Sequence, residues 1–187
     1  MAVNSDLVYV GSPDRVTGSV LNTDKGAALP TDASTAPAGA TWDDAGYITE
    51  DGVTLSDAQT WVDIKDWGGD TVRRIKSESQ VTLTTAFLEV NENSAKAAFG
   101  ENNVDATGGK IAIKFNVAEP KRKSWIINML DGDRYLRIVI PDGQVTDRAD
   151  MQFTRQGAVT IPVTITAYPD TDGNAVYLYA DAPVVVP

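Results

Sequence analysis

The sequence predicts a protein built mainly from antiparallel β-strands, with one short helix packed on them and a long arm or loop near its N-terminus. Three observations carry that expectation. Two stretches alternate apolar and polar residues strictly, Gly, Asp, Asn and Pro punctuate the chain at turn spacing, and the run from Asn22 to Trp42 contains almost nothing large enough to bury. The 187 residues suffice for one domain, expected to span 1–187, which can bury ~70% of its unfolded surface without covalent staples.

The elements follow in chain order. Residues 22–42 are small, include Pro30 and Pro37, and show neither helical nor strand periodicity. Structureless runs beyond ~15 residues are uncommon inside compact domains and tend to be functional or disordered. The segment reads either as a solvated surface loop or as an arm that orders on a neighbouring subunit, with Leu29 and Trp42 as its apolar anchors.

From Gly46 onward strand follows strand. Thr71 to Ser77 is strand-like but carries Arg73, Arg74 and Lys76, so one side of it must meet water or another chain. In the next strand Val81, Leu83 and Phe87 oppose Thr82, Thr84 and Ala86. Asn91 or Asn93 can cap a helix of about two turns whose Ala95, Ala98 and Phe99 share a face, with Gly100 closing it in a left-handed conformation.

Ile111, Ile113, Phe115 and Val117 alternate with Ala112, Lys114, Asn116 and Ala118, which predicts a strand with one buried face. Arg134 to Ile140 is the next strand. Val159, Ile161, Val163, Ile165 and Ala167 repeat the alternation, and Pro162, which has no N–H to give a ladder, implies an edge or bulge there. Asp172-Gly173-Asn174 suits a hairpin turn before a last strand, Val176 to Ala180. Trp61, Trp67 and Trp125 read as core residues or as aromatics at a subunit seam.

Composition excludes several functions. There is no cysteine and no histidine, so disulfides, thiolate metal sites, imidazole ligands and histidine general bases are absent. The net charge of −10 repels polyanions and disfavours ordinary nucleic-acid binding, although a negative wall for DNA to slide past is compatible with it. No apolar run approaches the ~20 residues that span a bilayer, and the first residues lack the blocks of a signal peptide, so a soluble chain made in the cytoplasm, with no membrane binding, is expected.

Local motifs offer no chemistry. Asp170, Asp172 and Asn174 are followed by Ala175 where a calcium loop needs glycine. Gly108-Gly109-Lys110 continues with Ile111 instead of Ser or Thr. Acid pairs such as Glu50 and Asp51, or Asp63 and Asp66, lack any sign of a cleft between them. No catalytic, metal or cofactor residue is assigned. The one basic cluster, Lys121-Arg122-Lys123, follows Pro120 and reads as a solvated turn or as charges that pair across a subunit contact.

Several phrases together resemble a known family. Gly46-Tyr47-Ile48-Thr49-Glu50-Asp51-Gly52-Val53, then Trp67-Gly68-Gly69-Asp70-Thr71-Val72-Arg73, are similar to the major tail proteins, or tail tube proteins, of long-tailed non-contractile phages of actinobacteria. Glu78 to Thr82, then Phe87 to Asn91 and Ala98-Phe99-Gly100, keep that family's order of strand, short helix and closing glycine, and Arg137 to Val145 and Val159 to Tyr168 are similar to its later strands. The resemblance spans about Gly46 to Tyr179.

It implies an antiparallel β-sandwich or half-barrel with a flanking helix, assembled as hexameric rings stacked into the virion's tail tube. It further implies the tape measure protein and then double-stranded DNA in the lumen, with tail terminator and baseplate or tail-tip proteins at the ends. A hairpin of strands 71–78 and 79–89, displaying Arg73, Lys76, Thr82 and Thr84, is expected on the lumen side. Leu29, Pro30, Pro37 and Trp42 are expected in an inter-subunit arm, and Lys121, Arg122 and Lys123 at an interface. The competing readings are another β-sandwich virion or injection-tube protein, and a carbohydrate-binding β-sandwich using Trp42, Trp61 or Trp67.

Overall fold

The computed structural model describes residues 8–14, 18–39 and 41–181. Its strands are β1 (Val20–Asp24), β2 (Asp43–Asp44), β3 (Ile48–Lys65), β4 (Thr71–Phe87), β5 (Val104–Thr107), β6 (Lys110–Ile113), β7 (Lys123–Asp131), β8 (Arg134–Asp147), β9 (Ile161–Tyr168) and β10 (Tyr177–Ala180), with helix α1 (Glu92–Phe99) after β4. Eight strands form one antiparallel sheet in the order β2-β1-β7-β8-β9-β4-β3, with β10 also on β8; β5 and β6 form a separate hairpin.

The two outermost strands in that order, β2 and β3, are joined only by Ala45, Gly46 and Tyr47. So short a link forces the sheet to curl until its first and last strands meet, giving the half-barrel. Ala45 N–H donates to Val20 O at 3.0 Å and Leu88 N–H to Tyr47 O at 2.8 Å, which stitches the link to both sides. Gly46 has φ +84°, and a Cβ there would stand 2.6 Å from the Glu89 carboxylate, so only glycine fits.

The curl encloses the main core. Leu83 and Phe87 of β4, Trp125 and Ile127 of β7, Ile138 and Ile140 of β8, and Ile161, Val163 and Ile165 of β9 meet Ala95, Ala98 and Phe99 of α1 inside it. Period-two alternation puts the intervening residues outside. There Leu21, Ile126 and Val139 form a second cluster, covered by Leu29, Trp42, Tyr177 and Tyr179. Gly143 lets the strands approach this closely: a Cβ would lie 2.8 Å from Trp125 and 2.9 Å from Ile165.

Helix α1 is as expected. The Asn91 side chain accepts from Ser94 N–H at 2.8 Å while Ser94 Oγ accepts from Asn91 N–H at 3.0 Å, closing a capping box. Gly100 ends the helix at φ 87° and ψ 147°, an extended positive-φ conformation instead of the left-handed one. In β9, Ile161, Val163, Ile165 and Ala167 are all buried, and the β8 ladder stops at Thr164, before Pro162.

Four expectations are corrected. Residues 71–87 form one continuous strand and not two: its hairpin partner is β3, because the polar run Glu78-Ser79-Gln80 is mid-strand with water on both faces. The 111–117 strand shortens to β6, and Phe115 and Val117 are exposed, because no layer covers them. Asp172-Gly173-Asn174 turns as expected, but the excursion returns the chain to the same edge of β8, which β9 and β10 share end to end. Trp125 is core, whereas Trp61 is half exposed and Trp67 fully exposed, since both stand where β3 and β4 have left the core.

Candidate assembly surface

Strands β3 and β4 outrun the body that holds them. β9 pairs with β4 only from Val81 to Phe87, so among the described residues the preceding stretch of β4 pairs with β3 alone, and β3 is the last strand of the sheet. Residues from Leu55 to Gln80 are exposed, apart from half-buried Asp63. About ten residues of each strand therefore project, a reach of roughly 33 Å at ~3.3 Å per residue. The tip is a closed turn in which Asp66 N–H donates to Asp70 O and Asp70 N–H to Asp66 Oδ1, both 2.9 Å.

The two faces of this hairpin differ. One continues from the core: Leu55 beside Leu83, then Asp57 beside Val81. The other sets Thr54 opposite Thr84, Ser56 opposite Thr82 and Ala58 opposite Gln80, a neutral surface of small polar groups. Between Thr60 and Trp61 the register slips by one residue of β4, a bulge that turns the ladder. Beyond it Val62 pairs with Ile75 next to Ile64, all three exposed, while the reverse face pairs Asp63 with Arg74.

That pair is bidentate, with Arg74 Nε donating to Asp63 Oδ1 at 2.6 Å and Nη2 to Oδ2 at 3.1 Å. The guanidinium holds the Asp63 carboxyl below the usual carboxylate range. Elsewhere on the hairpin the charges are of mixed sign, with Asp57, Asp66, Asp70 and Glu78 interspersed among Lys65, Arg73 and Lys76. Of the four residues expected together, Thr82 and Thr84 share a face. Alternation carried through the bulge puts Arg73 with them and Lys76 on the reverse, where it lines a groove of about 480 Å³ with Leu55, Asp57, Gln59 and Val81.

The run 22–42, expected to have no periodic structure, begins as strand, since Asn22 to Asp24 complete β1 by pairing with β7, and the segment after β1 lies against its own chain. Pro30 and Ala33 are buried, Leu29, Pro37 and Trp42 half-buried, and the centre of the contact is Arg137 of β8. Its guanidinium, almost wholly buried, donates to Asn128 Oδ1 at 2.7 Å, Thr35 O at 2.7 Å and Asp32 O at 3.1 Å. Burial pulls the Arg137 pKa down, and the charges of Asp32, Asp14 and Asp181 oppose that shift. Nothing in the sequence marks Arg137, which reads only as part of the strand from Arg134 to Ile140.

The basic cluster finds partners within the subunit. Lys121 Nζ lies 3.0 Å from Glu101 Oε2. Arg122 reaches Asp142 at 3.0 Å and stacks 3.7 Å from the Tyr168 ring centre. Lys123 is buried, donating to Asn22 Oδ1 at 3.0 Å and standing 3.4 Å from Glu101 Oε1. Among the described residues no group of His, Cys, Asp or Glu is arranged to hold a metal ion.

Two solved structures align with this chain. The anti-feeding prophage cap, described as a tube terminating cap, aligns over 97% of this chain and 100% of its own at 10% identity and a TM-score of 0.46. A chain from the virion of the native gene transfer agent particle aligns over 75% of this chain and 89% of its own at 11% identity and a TM-score of 0.39. No curated protein matches the sequence. The sequence profile of the phage tail tube protein family matches residues 1–186. The chain therefore belongs to the phage tail tube protein family, as a structural, non-enzymatic component of the virion tail.

Proposed function

We propose that this subunit assembles as hexameric rings stacked into the tube of a long-tailed phage, and that the β3–β4 hairpins of the ring line the lumen. The observation that supports this is the hairpin itself. An isolated two-stranded hairpin is marginal in water, and two open sheet edges invite further pairing. Joining the free edge of β4 in one copy to the free edge of β3 in the next satisfies both, and repetition around a ring abolishes the edges by closure.

The face carrying Thr54, Ser56, Thr82 and Thr84 points into the lumen in this reading, because the reverse face runs into the core. The neutral hydroxyl and methyl groups at this level release no counterions from DNA, so phosphate contacts are confined to the Arg73 level nearer the tip. The apolar stretch beyond the bulge, Val62, Ile64 and Ile75, then seats against the next ring. The run 22–42, beyond the residues that complete β1, acts as an inter-ring arm once it leaves Arg137. The tape measure protein and then double-stranded DNA occupy the lumen, terminator and tail-tip proteins bind the ends, and the subunit waits in the host cytoplasm before assembly.

Negative-stain microscopy of concentrated purified protein tests this, with stacked six-fold rings as the expected result. A variant in which a two-residue turn replaces residues 58–78 should remain folded by circular dichroism and form no tube. Tubes from that variant would remove the hairpin from the assembly, and a wild-type protein that stays monomeric alone and in virion extracts would remove the reading.

A further inference from the structure

We infer that Lys123, Asn22 and Glu101 form a self-catalysed cross-linking site, in which the Lys123 amine displaces ammonia from the Asn22 carboxamide and welds β1 to β7. The three groups come from distant parts of the chain. Asn22 is on β1, Lys123 begins β7, and Glu101 opens the 3-10 turn after α1. The ladder pairs Asp24 with Lys123 and Asn22 with Trp125, so Asn22 and Lys123 are diagonal neighbours on one face of adjacent strands.

Asn22 is 1% exposed and Lys123 6%, and Trp125, 1% exposed, stands beside them. Lys123 Nζ lies 3.0 Å from Asn22 Oδ1 and 3.4 Å from Glu101 Oε1. Asn22 Nδ2 donates to Asp43 O at 3.2 Å, which fixes the carboxamide plane. A buried amine and a buried amide are thus held beside a partly exposed carboxylate, a proximity that turns a negligible bimolecular reaction into an intramolecular one.

The reaction balances without a co-reactant. Glu101 takes a proton from the Lys123 ammonium, the neutral Nζ attacks Asn22 Cγ, and the carbonyl electron pair moves to Oδ1. Glu101 then delivers its proton to Nδ2 and receives one from Nζ, the Cγ–Nδ2 bond breaks, and ammonia departs, to leave the site as ammonium. An Nζ–Cγ amide remains. Lys121, 3.0 Å from the other Glu101 oxygen, holds this carboxyl below its ordinary range. The first proton transfer is therefore uphill, and the bond forms slowly, after folding.

Intact mass spectrometry of the full-length chain, sampled from purification through prolonged incubation and after assembly, tests the inference. The expected result is loss of one ammonia, with a branched peptide joining Asn22 to Lys123. Lys123→Met and Asn22→Ala should keep the full mass. Glu101→Gln, folded by circular dichroism, should form the bond at least ~10²-fold more slowly, and Lys121→Met should form it faster. A folded wild-type chain that keeps its full mass at every stage would overturn the inference. So would an ammonia loss that persists in Lys123→Met, which would be succinimide formation, and wild-type kinetics in Glu101→Gln would remove Glu101 from the reaction.

Discussion

Strand β4 belongs to two environments. From Val81 to Phe87 it has a strand on either side, and Leu83 and Phe87 are fully buried in the main core. From Thr71 to Gln80 it has one neighbour, and water reaches both faces. Both halves are strand paired with β3, so that pairing alone does not distinguish them. What differs is the reward for ordering them: burial of apolar area holds the first half, and the second half has within the subunit only a ladder and weak cross-strand pairs to offset its conformational entropy. A mutation should therefore report stability at one end of this strand and association at the other.

The largest effect is expected at the buried end. Phe87→Ala should cost about 3–5 kcal/mol by the lost transfer energy and the cavity it leaves, read as a lower denaturation midpoint. Arg137→Met comes next. It leaves the carbonyls of Asp32 and Thr35 and the Asn128 carboxamide without their donor, a cost of about 1–3 kcal/mol, and faster proteolysis between Gly26 and Gly39 should accompany it. The smallest belongs to the free end: Ile75→Thr should change monomer stability by less than about 0.5 kcal/mol while raising the concentration needed to form tubes. Equal losses of monomer stability for Phe87→Ala and Ile75→Thr would erase the distinction between the halves.

Much of the body was legible because its strands obey one rule. In β9 every second residue is apolar and buried, and the helix announced itself by Asn91 and Gly100. The same rule misleads at Phe115 and Val117, since alternation shows that a strand has an apolar face and is silent on whether anything covers it. It is equally silent on Arg137, which is roofed by a segment more than a hundred residues away in sequence. On the hairpin, Glu78-Ser79-Gln80 looked like a turn because hydroxyls, amides and carboxylates on both faces signal water, and a projecting strand meets as much water as a loop does. The meeting of Asn22 with Lys123 was beyond any local reading, because it depends on the register of two paired strands about a hundred residues apart in sequence.

The link formed by Ala45, Gly46 and Tyr47 also bears on how force passes through the molecule. It has almost no slack, since three residues span only ~10 Å even when fully drawn out. On one side it continues through β2 toward the segment clasped by Arg137, and on the other it becomes the root of the hairpin. Tension applied to the hairpin therefore runs along β3 and through this link to the opposite margin of the sheet.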